Sequence, residues 1–559
     1  MTRTPELAKR VLRALPLSAE LYQGWWGRGK VPTGGYSLER LEAALPGWVE
    51  AARLARPVVP PESPRRVLLV GYLRWWLEFA SALGLILFAM GQEVDLGFLP
   101  YRTWTDELSP FDVRRQRIYL GNVLRLARGL LRPVDLLAGA GREVSGELEA
   151  AVSAQSVTDV QYTLQREDLD LAGEASQAAL YRLRHQRNRA AASGVWGLLA
   201  RRRYDAVVVP NGSILELGAI YRTARLRRIP VVTYEFGEQR ERIWVAREAE
   251  VMRHDTTDLW QARRHLALAE VERQRLERLM DARRGGRRWS NFGRQWQAGA
   301  SEGAAATAQA LGMDRSRSVV LVCTNVVGDS LALGRQVFTQ GMADWLAQTV
   351  RHFASRRDVQ VVVRVHPGEL LGAGHTSEDI VHGALPAMPP HVLLVPSDSK
   401  INTYDLVELA DLGLVYTTTV GLEMAMAGVP VVVAGQTHYR AKGFTYDPDT
   451  LPDYFNTLDR LLARPEDRRM TSEQVETAWH YAYRFFFDFP LTFPWHLLHF
   501  WKDMEARPFR QVVGLELRDR YQRTFDHLLG GPAPWQTEPE RQDADPIAIA
   551  GSGPREVTR

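Results

Sequence analysis

Apolar residues along this chain come in short unbroken runs rather than at alternate positions, and each run is followed by a stretch with helical spacing. In the first half the runs are RVLLVGY, ending at Gly71, then EVDLGFLP, YDAVVVPNG (Tyr204–Gly212) and IPVVTYEFG (Ile229–Gly237). In the second half they are SVVLVCTN, VQVVVRVHPGE, HVLLVPSD, LGLVYTTT and PVVVAG. A strand with both faces covered has no solvent side and no reason to alternate, so the pattern predicts parallel sheets with helices on both faces. Helices predicted between the strands include WWLEFASALGLILFAMG (Trp75–Gly91), SILELGAIYRTARLRR, TYDLVELA and GLEMAMAG. The fold class expected is α/β, with two Rossmann-like domains.

Punctuation along the chain divides it further. Residues 1–60 read as a helical N-terminal arm closed by the Pro-rich RPVVPPESPRR. The first Rossmann-like domain is expected over 61–255, with a Leu- and Arg-rich helical insertion at about 101–200. A charged helical connector follows over 256–315, broken by RRGGRRWSNFG, and the second Rossmann-like domain spans 316–455. Closing helices, aromatic in YAYRFFFDFPLTFPWHLLHFW, are expected over 456–530, and a disordered tail over 531–559. No internal repeat of fixed period is visible.

At 559 residues the chain is too long for one core. A net charge of +4 is small for that length, which argues against nucleic acid as a partner. The single cysteine, Cys323, excludes an internal disulfide framework and suits a reducing cytoplasm. The first residues show no signal-peptide apolar region. Trp75–Gly91 is shorter than the roughly 20 apolar residues of a membrane span and carries Glu78, so it reads as a buried helix. Leu21–Lys30, with two tryptophans among basic residues, either lies on a membrane surface, giving a peripheral contact, or packs as a Trp pair on the arm. No His/Cys cluster has zinc spacing, and no metal is expected. The Asp-x-Asp look of EDLD (Glu167–Asp170) is set aside as a metal site because no strand precedes it.

The candidate chemistry lies at strand ends, where open α/β sheets bind ligands. Five successive strand ends in the second half carry polar residues: Asn325 and Asp329, His366, Ser397 and Asp398, Thr417–Thr419, and Gly435–Tyr439. Pro367 cannot continue a central strand, so His366 is held at its end, either as a structural residue or as a hydrogen-bond donor to phosphate, more strongly when cationic. Arg364 shares its face by strand alternation, or is buried in an ion pair. Thr417–Thr419 precede a helix whose free N–H groups suit an anion. Gly421 allows close backbone approach there, and Glu423 on the first turn either accepts ribose hydroxyls or complements the helix dipole. Gly328, Asp329 and Ser330 form a loop that lacks dinucleotide-binding and Walker spacing. Ser399, Asn402 and Tyr404 surround a further helix start, with Tyr404 able to hold a base. In the first half, Glu235 at a strand end and Glu238 in the next loop are candidate general bases if the two halves face each other.

RVHPGE, TYDLVELADLGLVYTTTVGLEMAMAGVPVVVAG and THYRAKGFTYD together resemble the capsule polysaccharide biosynthesis family, GT-B-like glycosyltransferases related to bacterial Kdo transferases. The resemblance covers residues 318–447 best, and 204–250 more loosely. It implies two Rossmann-like domains facing a cleft, a first domain for the acceptor and a second for a nucleotide sugar. No metal and no cofactor beyond the nucleotide-sugar donor are expected, because Arg364, His366 and a helix amino end can together stabilise the departing phosphate; the expected acceptor is a glycan or lipid-linked molecule, which the resemblance does not name. His366 would contact donor phosphate, Glu423 the nucleotide ribose or base, and Thr418 stands where relatives often have serine. Relatives with a His-Pro pair often use CMP-sugars or CDP-alditols, so a cytidine donor is expected. On the same fold, a nucleotide-sugar epimerase, a CDP-alditol phosphotransferase or a non-catalytic scaffold remain alternatives.

Overall fold

The computed structural model describes residues 17–25, 27, 30–32, 34–57, 63–141, 143–287, 299–371, 374–464 and 469–536. Residues 1–16, the middle of the connector and the tail beyond residue 536 lie outside the described residues, as do Trp26, Arg28 and Gly29 of the Trp–Arg arm. In chain order the strands are β1 (Arg66–Gly71), β2 (Glu93–Phe98), β3 (Leu131–Asp135), β4 (Ala206–Pro210), β5 (Val231–Glu235), β6 (Arg242–Arg247), β7 (Ser318–Cys323), β8 (Val359–Arg364), β9 (Val392–Val395), β10 (Leu412–Val415), β11 (Val431–Val433) and β12 (Leu491–Thr492).

They form two sheets. The first runs β3-β2-β1-β4-β5-β6-β12, parallel through β5, with β6 and β12 antiparallel. The second, β9-β8-β7-β10-β11, is parallel throughout. In both, the chain winds outward on one side of its first strand and then crosses to the other. The topological switch points fall between β1 and β4 and between β7 and β10. The apolar runs account for this directly, since nearly every residue of β1, β4, β7, β8 and β10 is buried. Helix Leu73–Ala89 is buried along almost its whole length between β1 and β2, as its uniform apolarity requires. No helix among the described residues is long and apolar enough to cross a membrane.

Three strands escaped the sequence pattern. β3 falls inside the region read as a helical insertion. Its sequence LRPVD is polar and holds Pro133, which an edge strand tolerates because only one side is paired. β6 alternates buried and half-exposed residues, unlike its neighbours. β12 interrupts the closing helices and returns the chain to the first sheet, pairing with β6.

The rest of the insertion is helical and carries a buried ion network. Helix Ala175–Arg201 puts Arg184 and Arg187 in the interior, against Glu216 on helix Leu215–Leu226 and Asp159 on helix Gly146–Leu164. Arg187 Nε donates to Glu216 (2.6 Å), Arg184 Nη2 to the same carboxylate (2.8 Å), and Arg184 Nε to Asp159 (3.2 Å). The remaining guanidinium protons reach the carbonyls of Thr103 (2.9 Å) and Trp104 (3.1 Å). Burial alone would raise the Glu216 pKa, but Arg184 and Arg187 hold it down at about 2.

The insertion also bridges the domains. Its EDLD segment serves as a helix cap: Glu167 accepts from the Ala343 N–H (2.7 Å) at the start of helix Met342–Ala354 in the second domain. A Cβ on Gly328 would come within 2.7 Å of the Gln161 carbonyl, so this glycine serves close packing between the domains.

Two outcomes follow for stability. Replacing Glu216 by Gln leaves two buried guanidiniums short of charge and costs about 3–5 kcal/mol in urea denaturation at neutral pH. Because the folded pKa lies below the ordinary value of 4.5, the network's contribution is complete above that value and is lost as pH falls towards 2. The gap between wild type and Glu216→Gln therefore narrows on acidification. Glu167→Ala removes a cap worth about 1 kcal/mol, read as a lower melting temperature with no loss of either domain's secondary structure in circular dichroism.

Candidate active site

The carboxyl ends of the two sheets face one cavity of about 480 Å³. Its walls include Tyr72, Asn211 and Glu235, following or ending β1, β4 and β5, and Asn325, His366 and Thr417, following β7, β8 and β10. Both switch points therefore open onto the same space.

Backbone strain collects on the first-domain side. Leu73, Asn211, Leu215 and His254 all have left-handed φ, between 48° and 57°, and all line the cavity. Such conformations cost side-chain-bearing residues about 1–3 kcal/mol and persist only where surroundings over-determine them. Here Asp159, already held by Arg184, accepts the Leu215 N–H (2.6 Å). The same network reaches Tyr72, whose hydroxyl takes a bond from Arg187 (3.2 Å). Trp75, Trp76, Trp104 and Tyr162 supply an aromatic flank.

The two candidate bases both reach the cavity. Glu235 accepts from Asn211 Nδ2 (2.9 Å) and the Phe236 N–H (3.0 Å). Glu238 is held by Arg283 Nη2 (2.5 Å) from the connector.

Opposite them stands the second domain. The His366 N–H donates to Thr324 Oγ1 (3.0 Å), and the Gly368 N–H donates to His366 Nδ1 (2.9 Å). Nδ1 is thus an acceptor, and the ring proton sits on Nε2. Burial, reinforced by Arg364, draws the His366 pKa down to about 4. The cationic form considered from sequence is therefore not the resting form at neutral pH. Asn325 Oδ1 accepts the Thr417 N–H (3.1 Å), tying the loops after β7 and β10 together at the switch point. Tyr439 Oη donates to the Thr418 carbonyl (2.6 Å) and braces that loop from behind. Asp329, Thr418 and Thr419 complete this wall.

Six expected ligand contacts sit elsewhere. Glu423, buried in the first turn of its helix, forms an ion pair with Arg283 and accepts from Tyr404 Oη (2.9 Å). It is not among the residues lining the cavity, and the partner the structure gives it is a guanidinium. Burial pushes its pKa up, against the pull of Arg283 and Tyr404, and Glu238 adds to the rise. Tyr404 is likewise engaged with Glu423 rather than facing a base. Arg364 is buried in hydrogen bonds to the Pro396 carbonyl (2.6 Å) and Thr403 (3.3 Å). Ser399 turns back to accept the Ile401 N–H (3.2 Å). Gly421 makes room for the Tyr439 hydroxyl, and Gly328 for the first-domain helix end.

Other cavity residues carried little sequence signal. Phe485 and Phe486 reach it from the crossover after helix Ser472–Tyr483, where the backbone widens into a π-turn over Arg484–Asp488. Such widening is common at functional sites. His254 packs its ring against Trp244 (4.3 Å between centroids), and burial with nearby Arg335 lowers its pKa to about 3. Among the described residues no group of three or more His, Cys, Asp or Glu side chains is arranged to hold a metal ion.

No protein-family model matches the sequence, and no curated protein matches it. Solved structures match it at low identity and low TM-score. KpsC of Thermosulfurimonas dismutans, a beta Kdo 2,4 transferase, is 18% identical over 50% of this chain and 79% of its own, with a TM-score of 0.32. The UDP-GlcNAc 2-epimerase of Neisseria meningitidis, bound to UDP-GlcNAc, is 14% identical over 76% of this chain and 100% of its own, with a TM-score of 0.25. The glycosyltransferase SnogD of Streptomyces nogalater is 15% identical over 76% and 95%, with a TM-score of 0.20.

If His366 is neutral as its surroundings dictate, its imidazole NMR shifts stay flat between about pH 8 and about pH 5.5, where an ordinary histidine titrates. A midpoint near the ordinary value in the folded protein contradicts the buried, Nε2-protonated ring.

Proposed function

We propose that this chain is a glycosyltransferase that moves a sugar from a nucleotide-activated donor, CMP-sugar favoured, to a surface or capsular polysaccharide acceptor, glycan or lipid-linked, at the cytoplasmic side of the cell envelope. The observation that carries the reading is the shared cavity, with Glu235 and Glu238 on one wall and His366, Asp329, Thr418 and Thr419 on the other. In this reading the His366 Nε2–H and the Thr418 and Thr419 hydroxyls bind the donor phosphate. Glu235 takes the proton of the acceptor hydroxyl as that oxygen attacks the anomeric carbon, and the nucleotide leaves with the bonding pair. The departing phosphate is stabilised by these hydrogen bonds, with no metal and no further cofactor.

Charge supports a donor with one phosphate. Among the described residues the cavity wall holds three carboxylates, Glu235, Glu238 and Asp329, and no lysine or arginine. Neutral donors suit the single negative charge of a nucleoside monophosphate ester better than the two of a diphosphate. The preference for cytidine itself rests on the sequence resemblance around His366–Pro367.

Two carboxylates lining one cavity also suit proton abstraction from a sugar carbon, the chemistry of an epimerase on this fold. A CDP-alditol phosphotransferase is a third use of the same arrangement. Incubation with nucleotide sugar alone separates them, because an epimerase converts it without an acceptor.

A thermal-shift panel of CMP, CDP, UDP, GDP and ADP tests the reading. CMP raises the melting temperature of the wild type, and His366→Ala abolishes the shift. Glu235→Gln keeps the shift but lowers turnover about 10²–10⁴-fold, the usual worth of a general base. A CMP shift that survives His366→Ala removes the phosphate role of this histidine.

A further inference from the structure

A second, larger cavity lies along the outer edge of the first sheet. It encloses about 800 Å³ beside β3 and helix Pro110–Leu124, and shares no lining residue with the cleft. Glu93, Asp95, Asp135 and five arginines are in its wall. The carboxylates are already engaged: Glu93 pairs with Arg66 (2.5 Å), Asp135 with Arg117, and Asp95 with both Arg132 (2.6 Å) and Arg202 (2.8 Å).

Arg56, Arg125 and Arg128 then remain in the wall without a carboxylate partner among the described residues. Arg56 lies over the Phe88 ring, 4.2 Å from its centroid, which fixes the guanidinium in place. Arg125 and Arg128 sit on one short turn, closed by the Arg128 N–H bond to the Arg125 carbonyl (3.0 Å). Like charges gathered around one hollow repel each other and are stabilised by an anion between them. Guanidinium forks match phosphate oxygens two at a time. Three unpaired cations exceed what a single carboxylate neutralises.

We propose that this groove is a second ligand site, separate from the cleft, that takes a phosphate-bearing group. The phosphate belongs to a soluble molecule or to the headgroup of an anionic lipid. Leu54 and Leu126, 71% and 44% exposed, neighbour Arg56 and Arg125 in the chain and give a lipid an apolar contact that a soluble phosphate does not use.

The test uses the full chain carrying His366→Ala, so that the cleft does not take up the probe through that histidine. Inorganic pyrophosphate is titrated by calorimetry, and pelleting is measured with phosphatidylglycerol and with phosphatidylcholine vesicles. Arg125→Ala/Arg128→Ala removes two exposed side chains and leaves the melting temperature unchanged. We expect this double variant to lose roughly tenfold or more in affinity for whichever probe binds. Pyrophosphate binding identifies a soluble ligand. Pelleting with phosphatidylglycerol alone identifies a headgroup, and Leu126→Asp then weakens it too. Binding by neither probe, or binding that the double variant leaves intact, overturns the site. The outcome is independent of the cleft, because nucleotide shifts in protein with His366 restored are unaffected by Arg125→Ala/Arg128→Ala.

Discussion

The first-domain wall of the cleft depends on charges that never meet water. Arg184, Arg187, Asp159 and Glu216 are two cations and two anions, all buried. Removing each from solvent costs several kcal/mol, so the set is tolerable only with all partners in place and the remaining guanidinium protons bonded to the carbonyls of Thr103 and Trp104. That requirement joins three separate pieces of chain: the loop after β2, the insertion helices, and the loop from β4 into helix Leu215–Leu226. Once they are joined, Tyr72, Trp104 and Leu215 have no freedom to move apart. The network thereby supplies the rigidity that left-handed residues at the cavity wall demand.

A smaller set performs the same task between domains. Arg283 of the connector holds Glu238 of the first domain and Glu423 of the second. One cation between two carboxylates leaves a net negative charge beside the cleft, and this explains why burial and Glu238 push the Glu423 pKa up despite its ion pair. It also makes the geometry of the cleft sensitive to connector position, since a shift of Arg283 releases a carboxylate on each side. The Glu167 cap and the return of β12 to the first sheet add two further ties. The domains are therefore linked by charge, by a helix end and by a strand, and the cavity lies among those links.

Much of the architecture was legible in the sequence because buried parallel strands announce themselves as unbroken apolar runs. β1, β4, β7, β8 and β10 were visible for that reason, and so were the strand ends that carry Glu235, Asn325, His366 and Thr418. β3 was not, because an edge strand tolerates proline and polar residues. β12 was not, because two residues make no pattern. Glu423 shows the limit for the site. Its position one turn inside an apolar helix marked it as special, but sequence gives no sign that a guanidinium about 140 residues earlier would be its partner. Gly421 was singled out for close approach, and close approach is what it permits, to Tyr439; Gly328 likewise permits it, to a helix end.

His366 brings these strands together. A histidine at a strand end suggests a cation, yet the fold favours the neutral form by withdrawing the ring largely from water, setting Arg364 behind it and giving its Nδ1 a backbone N–H to accept. The ring is thereby held in one tautomer, with its N–H dipole oriented. Oriented dipoles stabilise charge that develops during a reaction without strongly trapping charge already present in the ground state. On the proposed reading, a cationic histidine would bind a nucleotide product, with its fully formed phosphate charge, more tightly and slow its release. If the cleft turns over a nucleotide sugar as proposed, a neutral histidine favours release over retention in a wall whose described residues hold three carboxylates and no lysine or arginine.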